Sequence, residues 1–294
     1  MEIFGIPSPA FFGQLLLGLI NGSFYAILSL GLAIIFGLLN IINFAHGAQY
    51  MVGAFVAWMA LTWLDIGYWW ALLLAPLAVG AVAVLIERAM LRHLYKLDHL
   101  YGLLLTFGLA LIAEGVFKNY FGVSGESYEV PELLQGGLNL GFMYLPVYRA
   151  WVVVAAMAVC FSAWYAIERT SLGATLRAAT QRPDLVQALG INVPVLLTAT
   201  YGAGAALAAF AGVLAAPIMQ VNPVMGSNLI IVVFAVVVIG GMGSILGSIL
   251  TGLGLGVVEG LTKVFYPEAS AVVIFVVMVL VLLVKPAGLF GKQA

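Results

Sequence analysis

Residues 40–55, NIINFAHGAQYMVGAF, set two amides and an imidazole inside an otherwise apolar run. Asn40, Asn43 and His46 recur at three-residue steps, so on a helix they drift slowly around one face, beside Gly47 and Gly53. Such a strip reads as the wall of a translocation path or as a helix interface rather than a lipid-facing surface. It reads equally as a junction that closes one span and opens the next, because asparagine tolerates turn conformations. The other deep ionisable groups are Glu114 in LALIAEGVF and Glu259 in GVVEGL. Glu259 falls near an expected helix end, where snorkelling to the interface costs little, and Glu114 reads as a hydrogen-bonded packing residue ahead of an ion-coupling site. His46 has no partner acid close in sequence, so the constellation a membrane enzyme needs is missing, and the chain is expected not to be an enzyme. Cys160, the single cysteine, cannot close an internal disulfide and sits in an apolar run as a small packing residue. No Cys/His cluster suggests a metal. The tail GLFGKQA has Gly291–Lys292, but Pro286 stands where a phosphate-binding loop needs its first glycine and Gln293 replaces its hydroxyl. No cofactor is expected in this chain.

The elements that position these groups follow from composition. Of 294 residues, 64 % are hydrophobic and 8 % charged, with a mean hydropathy of +1.15. A soluble domain carries about 25 % charged residues, so the bilayer must be the solvent. A net charge of −1 with no basic stripe excludes a nucleic-acid partner. The N-terminus lacks the basic start and cleavage pattern of a signal peptide, so the first apolar run is expected to be retained as a span. About 20 apolar residues cross the hydrocarbon, which places spans near 11–38, 44–64, 69–89, 101–121, 150–168, 194–217, 227–240, 245–264 and 270–286. All should be helices, since backbone groups in lipid must bond within their own segment. The expected class is an all-α polytopic membrane protein with about eight to nine transmembrane helices in a single domain, 1–294. GGMGS at 240–244 suggests a broken or re-entrant pair there. Arg88, Arg92, Lys96, Arg169, Arg177, Arg182, Lys285 and Lys292 share one side if there are nine crossings, against Lys118, Arg149 and Lys263 on the other. The first side is therefore expected to be cytoplasmic. The loop 122–149, with Glu126, Glu129 and Glu132, is then outside.

Glycines recur at four-residue spacing, Gly18/Gly22 early and Gly243/Gly247, Gly252/Gly256 and Gly256/Gly260 late. They read first as close helix packing and, more weakly, as smooth faces that slide in a conformational cycle. Between 169 and 192 the chain is too polar to span and too patterned to be slack. Leu176, Ala179, Leu185 and Leu189 keep a helical rhythm, Pro183 interrupts it, Asp184 opens a second turn and Gly190 stops it. This amphipathic pair reads either as an interfacial helix on lipid or as a knob for a groove in a soluble partner.

That segment, RTSLGATLRAATQRPDLVQALGIN (169–192), resembles the coupling loop of ABC importer permeases, in particular the branched-chain amino acid permease family. So do NIINFAHG with YMVGAF (40–55), IERAMLR (86–92), VNPVMG (221–226), VIGGMGSILGSILTGLGLGVVE (238–259) and LVKPAGLFGK (283–292), in the family's order over nearly the whole chain. The resemblance implies a multi-pass permease of the bacterial inner membrane. Its implied partners are a related second permease, two ATP-binding subunits and a periplasmic binding protein. It implies a pathway or helix-interface role for Asn40, Asn43, His46, Gly47, Asn222, Pro223, Gly240 and Gly241. Contact with the ATPase would fall on Gly173, Arg177, Ala178, Ala179, Leu189 and Gly190. One departure is Ala48, followed by Gln49, where the family often carries an acid two residues after the histidine. The solute class therefore spans amino acids, urea and short amides, and aromatic carboxylates. The competing class is a stand-alone secondary transporter or channel, which would show inverted repeats and buried charges for ion coupling.

Overall fold

The computed structural model describes residues 2–3, 6–39, 41–95 and 97–291. Asn40 of the polar strip, with Lys96 and Lys292 of the basic loops, lies outside the described residues. Helices α1 (Ser8–Leu39), α2 (Ala45–Leu64), α3 (Tyr68–Ala89), α4 (His99–Phe121) and α5 (Val147–Arg169) are followed by a short pair, α6 (Ser171–Gln181) and α7 (Pro183–Ala188). Then come α8 (Val193–Ala215), α9 (Met225–Gly240), α10 (Ile245–Phe265) and α11 (Val273–Val284). Seven of these are long and apolar enough to cross a membrane, and α9 and α11 are shorter apolar helices. The polytopic all-α class holds. Strands are confined to the ends: β1 (Glu2–Ile3) with β2 (Ile6–Pro7), and a hairpin, β3 (Gly137–Asn139) with β4 (Tyr144–Pro146), in the loop after α4. Outside the hydrocarbon, water can satisfy a two-stranded edge, so the helix-only rule does not reach there.

The core is a zip of α1 against α10. The two run antiparallel, and a Cβ on Gly18 would stand 2.5 Å from the Gly256 carbonyl oxygen, while one on Gly22 would stand 3.0 Å from the Leu253 Cα. Without side chains at Gly18, Gly22, Gly252, Gly256 and Gly260 the backbones touch, and dispersion replaces the hydrophobic effect that lipid does not supply. The spacing seen in the sequence is thus a packing device. It buries α1 from Gly18 to Ile35 nearly without interruption. By contrast, α4 turns Leu100, Leu104, Phe107, Leu111 and Ile112 outward as an apolar belt.

Against the nine expected crossings stand seven helices of spanning length and two shorter apolar ones, α9 and α11. Beyond α11 the tail returns to the end of α9, where Leu289 N–H donates to the Ile239 carbonyl at 2.8 Å and Phe290 N–H to that of Gly240 at 3.2 Å. The same end carries Arg88, Arg92, Arg169, Arg177, Arg182 and Lys285. The 240–244 break is a tight turn between the shorter α9 and the full-length α10, with Gly241 and Gly243 at φ +99° and +85°. At the opposite end Glu126 and Val221 exchange backbone hydrogen bonds of 2.8 Å, tying the long acidic loop to the α8–α9 connection.

That loop also buries Tyr128, whose hydroxyl finds no partner among the described residues. Burial, with a smaller contribution from Tyr68, pushes its phenol up to about 12 from 10.0. The folded state therefore holds this proton more tightly than the unfolded chain, so the associated stability is complete below pH 10 and lost as pH rises toward 12. Thermal melts in detergent should show a loss of stability across that window that shrinks in Tyr128→Phe. Equal losses in both proteins would count against it.

Candidate functional site

The polar strip does not lie on one helix. α1 runs on to Leu39, yet His46 Nε2–H donates to the Leu28 carbonyl at 3.0 Å, eleven residues (39 − 28) before the end of α1. At 1.5 Å per residue this is about 16 Å along the axis. The chain therefore climbs back into the bundle through the non-helical residues 41–44, and α2 starts at depth. Non-helical backbone survives there only when protein encloses it. Ile41 is 7 % and Asn43 1 % exposed. The Thr106 hydroxyl of α4 accepts from Phe44 N–H and lies 3.2 Å from the Ile42 carbonyl. Asn43 belongs to this re-entering stretch and His46 to the first turn of α2, which corrects the reading of a single helical face.

Space for the imidazole comes from α1 and α8. A Cβ on Gly31 would come 2.9 Å from His46 Cε1 and equally close to the Gly204 carbonyl oxygen. Gly47 abuts Gly226 of α9, and Gly53 abuts Ala209 of α8. Gln49 Nε2 donates to the Tyr201 hydroxyl at 3.4 Å. Asn43 also lies near that hydroxyl, outside ordinary hydrogen-bond geometry. Asn43 Oδ1 and Nδ2, His46 Nδ1 and Gln49 Oε1 are all buried without a closed hydrogen bond among the described residues, although Gln49 lies beside the imidazole. Each such atom costs about 1–3 kcal/mol if left unmet. A packing-only interface would have replaced them with apolar groups.

The remaining expected residues separate into two ends. Asn222 closes a local turn, its Oδ1 accepting from Val224 N–H and its amide donating to the Gln220 carbonyl, and Pro223 is buried beside it. Both sit at the acidic-loop end. Gly240 and Gly241 lie at the basic end, against Gly247 and the returning tail. A cavity of about 850 Å³ opens there, lined among others by Leu39, Tyr95, Glu168, Arg177, Met242 and Phe290.

On that same end α6 and α7 form the expected helix pair. Arg177 donates to the Ile167 carbonyl at 3.0 Å and lies 3.8 Å from Glu168. Gly173 packs on the Ile167 backbone and Ala179 is 1 % exposed. Both are buried and pack the pair onto the bundle, unlike the exposed members of the expected contact set, although Ala179 also borders the cavity. Ala178, Leu189 and Gly190 are exposed. The rhythm of Leu185 and Leu189 also inverts: both point out, at 60 % and 80 %, while Val186 takes the inward place. Pro183 resets the helical phase, so a register counted from α6 fails in α7.

Glu114 and Glu259 are each neutralised one turn on, by Lys118 and Lys263 at 2.5 Å. Glu259 also accepts from the Tyr25 hydroxyl at 2.7 Å, so it is held within the bundle instead of snorkelling out. A part-exposed i,i+4 pair is worth under ~1 kcal/mol. Uptake by Glu114→Gln is therefore expected to stay within about twofold of wild type with the same pH profile. A displaced pH profile would restore the ion-coupling role. Glu87 is the acid that sequence reasoning missed, because the adjacent Arg88 makes it look like an interfacial pair.

A family model described as "Branched-chain amino acid transport system / permease component" matches residues 14–282. The chain belongs to this permease family. It is 34 % identical over 298 residues to the high-affinity branched-chain amino acid transport system permease protein BraD of Pseudomonas aeruginosa, covering 95 % of each chain. To LivH, of the corresponding system in Escherichia coli K12, it is 31 % identical over 300 residues, covering 96 % of each. LivM of the same organism is 26 % identical, covering 90 % of this chain and 67 % of LivM. No solved structure matches. The chain is thus a multi-pass membrane transport permease and not an enzyme, and the stand-alone transporter reading gives way.

Proposed function

We propose that the chain is one of two permease subunits of an ATP-driven importer in the bacterial inner membrane, with its basic end in the cytoplasm. ATP is hydrolysed by two separate subunits, and a periplasmic binding protein meets the end formed by the 122–149 loop and Asn222. The solute is a branched-chain amino acid or a related small organic molecule, supported by relatives of that name matching end to end. The similarity to both LivH and LivM supports pairing with a related, non-identical permease. Ala48, where the family often has an acid, lines a small cavity of about 60 Å³ whose wall also includes Glu114. That carboxylate is already paired with Lys118, so it does not stand in for the usual acid.

The observation that carries the reading is the α6–α7 pair: ordered, clear of the spans, and presenting Leu185 and Leu189 among Arg182, Asp184 and Gln187. Leu185 and Leu189, four residues apart in a charged surround, form a compact knob that suits a groove in a soluble protein better than a lipid surface, which favours a broad apolar stripe. Alone, the purified chain should hydrolyse no ATP. Joined to its ATPase subunits, it should give hydrolysis that rises when loaded binding protein is added. No response to the loaded binding protein would contradict the assignment.

A further inference from the structure

Glu87, in IERAMLR, takes no part in the polar strip or the partner contact. Yet at 1 % exposure it is the most buried acid among the described residues. Its two oxygens each accept one hydroxyl, Oε1 from Tyr95 and Oε2 from Thr198, both at 2.6 Å. Three elements meet there: the last turn of α3, the turn that follows it, and the second turn of α8. Among the described residues no lysine or arginine pairs with it. Desolvating a carboxylate costs several kcal/mol, and two hydroxyls return only part of that. α3 and α8 already touch through Gly80 and Gly202, where a Cβ on Gly80 would stand 3.1 Å from the Gly202 carbonyl oxygen. An apolar residue would serve packing better, so the acid's contribution is directional.

Two further contacts give the direction. α6 and α7 sit on the start of α8 through Ala179, Val186 and Val193, backed by Leu196 and Leu197. The segment and the first turns of α8 therefore form one packed unit. Thr198 belongs to that unit, its hydroxyl also 2.9 Å from the Pro194 carbonyl. Tyr95 lines the cavity of about 850 Å³ together with Arg177, Thr180 and Pro183. One carboxylate oxygen thus holds the helix that carries the segment, and the other holds a wall of the cavity the segment borders.

We propose that Glu87 is a positioning residue of the transport cycle, clasping α8 to α3 so that displacement of α6–α7 reaches the membrane helices. Without the clasp, motion of that packed unit is absorbed where α8 meets α3. This role rests on the reading of α6–α7 as the ATPase contact. The test uses the complete importer in liposomes with leucine as probe solute, measuring ATP hydrolysis and uptake side by side. Glu87→Leu and Thr198→Val should keep hydrolysis within about twofold while leucine imported per ATP falls about tenfold, an ordinary coupling magnitude. Glu87→Gln keeps the shape and can bond both hydroxyls, so it should recover the ratio to within about threefold. Thr198→Val preserves volume and carries the test if Glu87→Leu fails to assemble. An unchanged ratio in Thr198→Val, or hydrolysis and uptake falling in proportion, would overturn the clasp alone. Uptake that ignores ATP in the wild-type importer would overturn the parent reading with it.

Discussion

A Gly190→Val variant is expected to reach the membrane at the wild-type level, to support ATP hydrolysis by its partners, and to lose nearly all uptake. Gly190 follows α7 with φ at +84°, and its N–H closes onto the Gln187 carbonyl at 2.9 Å while Ile191 N–H reaches that of Val186 at 3.3 Å. This is a left-handed helix stop. A β-branched residue there costs roughly 1–3 kcal/mol, and the turn can escape that cost by opening. Opening swings Leu189 away from the direction it holds now. A Cβ at this position meets nothing within 4 Å, so crowding is not the cause. Gly190→Asn, which tolerates the same conformation, should retain most uptake. Equal uptake by the valine and asparagine variants, measured with the ATPase subunits present, would show that backbone conformation at 190 is immaterial.

The second large effect falls on folding. Gly256→Leu would drive a side chain into the backbones of Gly18 and Gly22, where α10 meets the most buried helix of the molecule. Overpacking of side chains costs about 1–3 kcal/mol, and a clash with the backbone of the facing α1 exceeds that range. The variant is expected to yield little monodisperse protein in detergent. Gly254→Leu, two residues away, adds a Cβ that meets nothing within 4 Å and should behave as wild type in size-exclusion and thermal assays. Similar yields of the two would mean that the α1–α10 contact is not what the glycines provide.

These contrasts show what a sequence can and cannot display. Span positions were legible because hydropathy and length report directly on crossing a bilayer, and the expected 245–264 and 44–64 agree closely with α10 and α2. The glycine zip was legible as spacing, though not its partner assignment. The re-entry of 41–44 was hidden because a buried non-helical stretch can be as apolar as a helix. It moved Asn43 off the face it was expected to share with His46. Glu87 was hidden for a different reason: its two hydroxyl partners come from the turn after α3 and from α8, and Thr198 is 111 residues away. In α6–α7 the two helices and the inward face of α6, Leu176 and Ala179, were legible, but the inward face of α7 was not. Pro183 breaks the phase, so Val186 and not Leu185 packs against the bundle.

Among the candidate residues, those that can meet a partner are set by exposure and those that line the interior by unmet polar atoms. Asn43, His46 and Gln49 belong to the second group and Ala178, Leu189 and Gly190 to the first. What joins them is the claim that force applied at α6–α7 moves the helices enclosing the strip. The most direct measurement is leucine uptake into liposomes holding this chain, its partner permease, the binding protein and either active or catalytically dead ATPase subunits. The account predicts ATP-dependent uptake with the active subunits and none with the dead ones. Uptake of equal rate with both would contradict it.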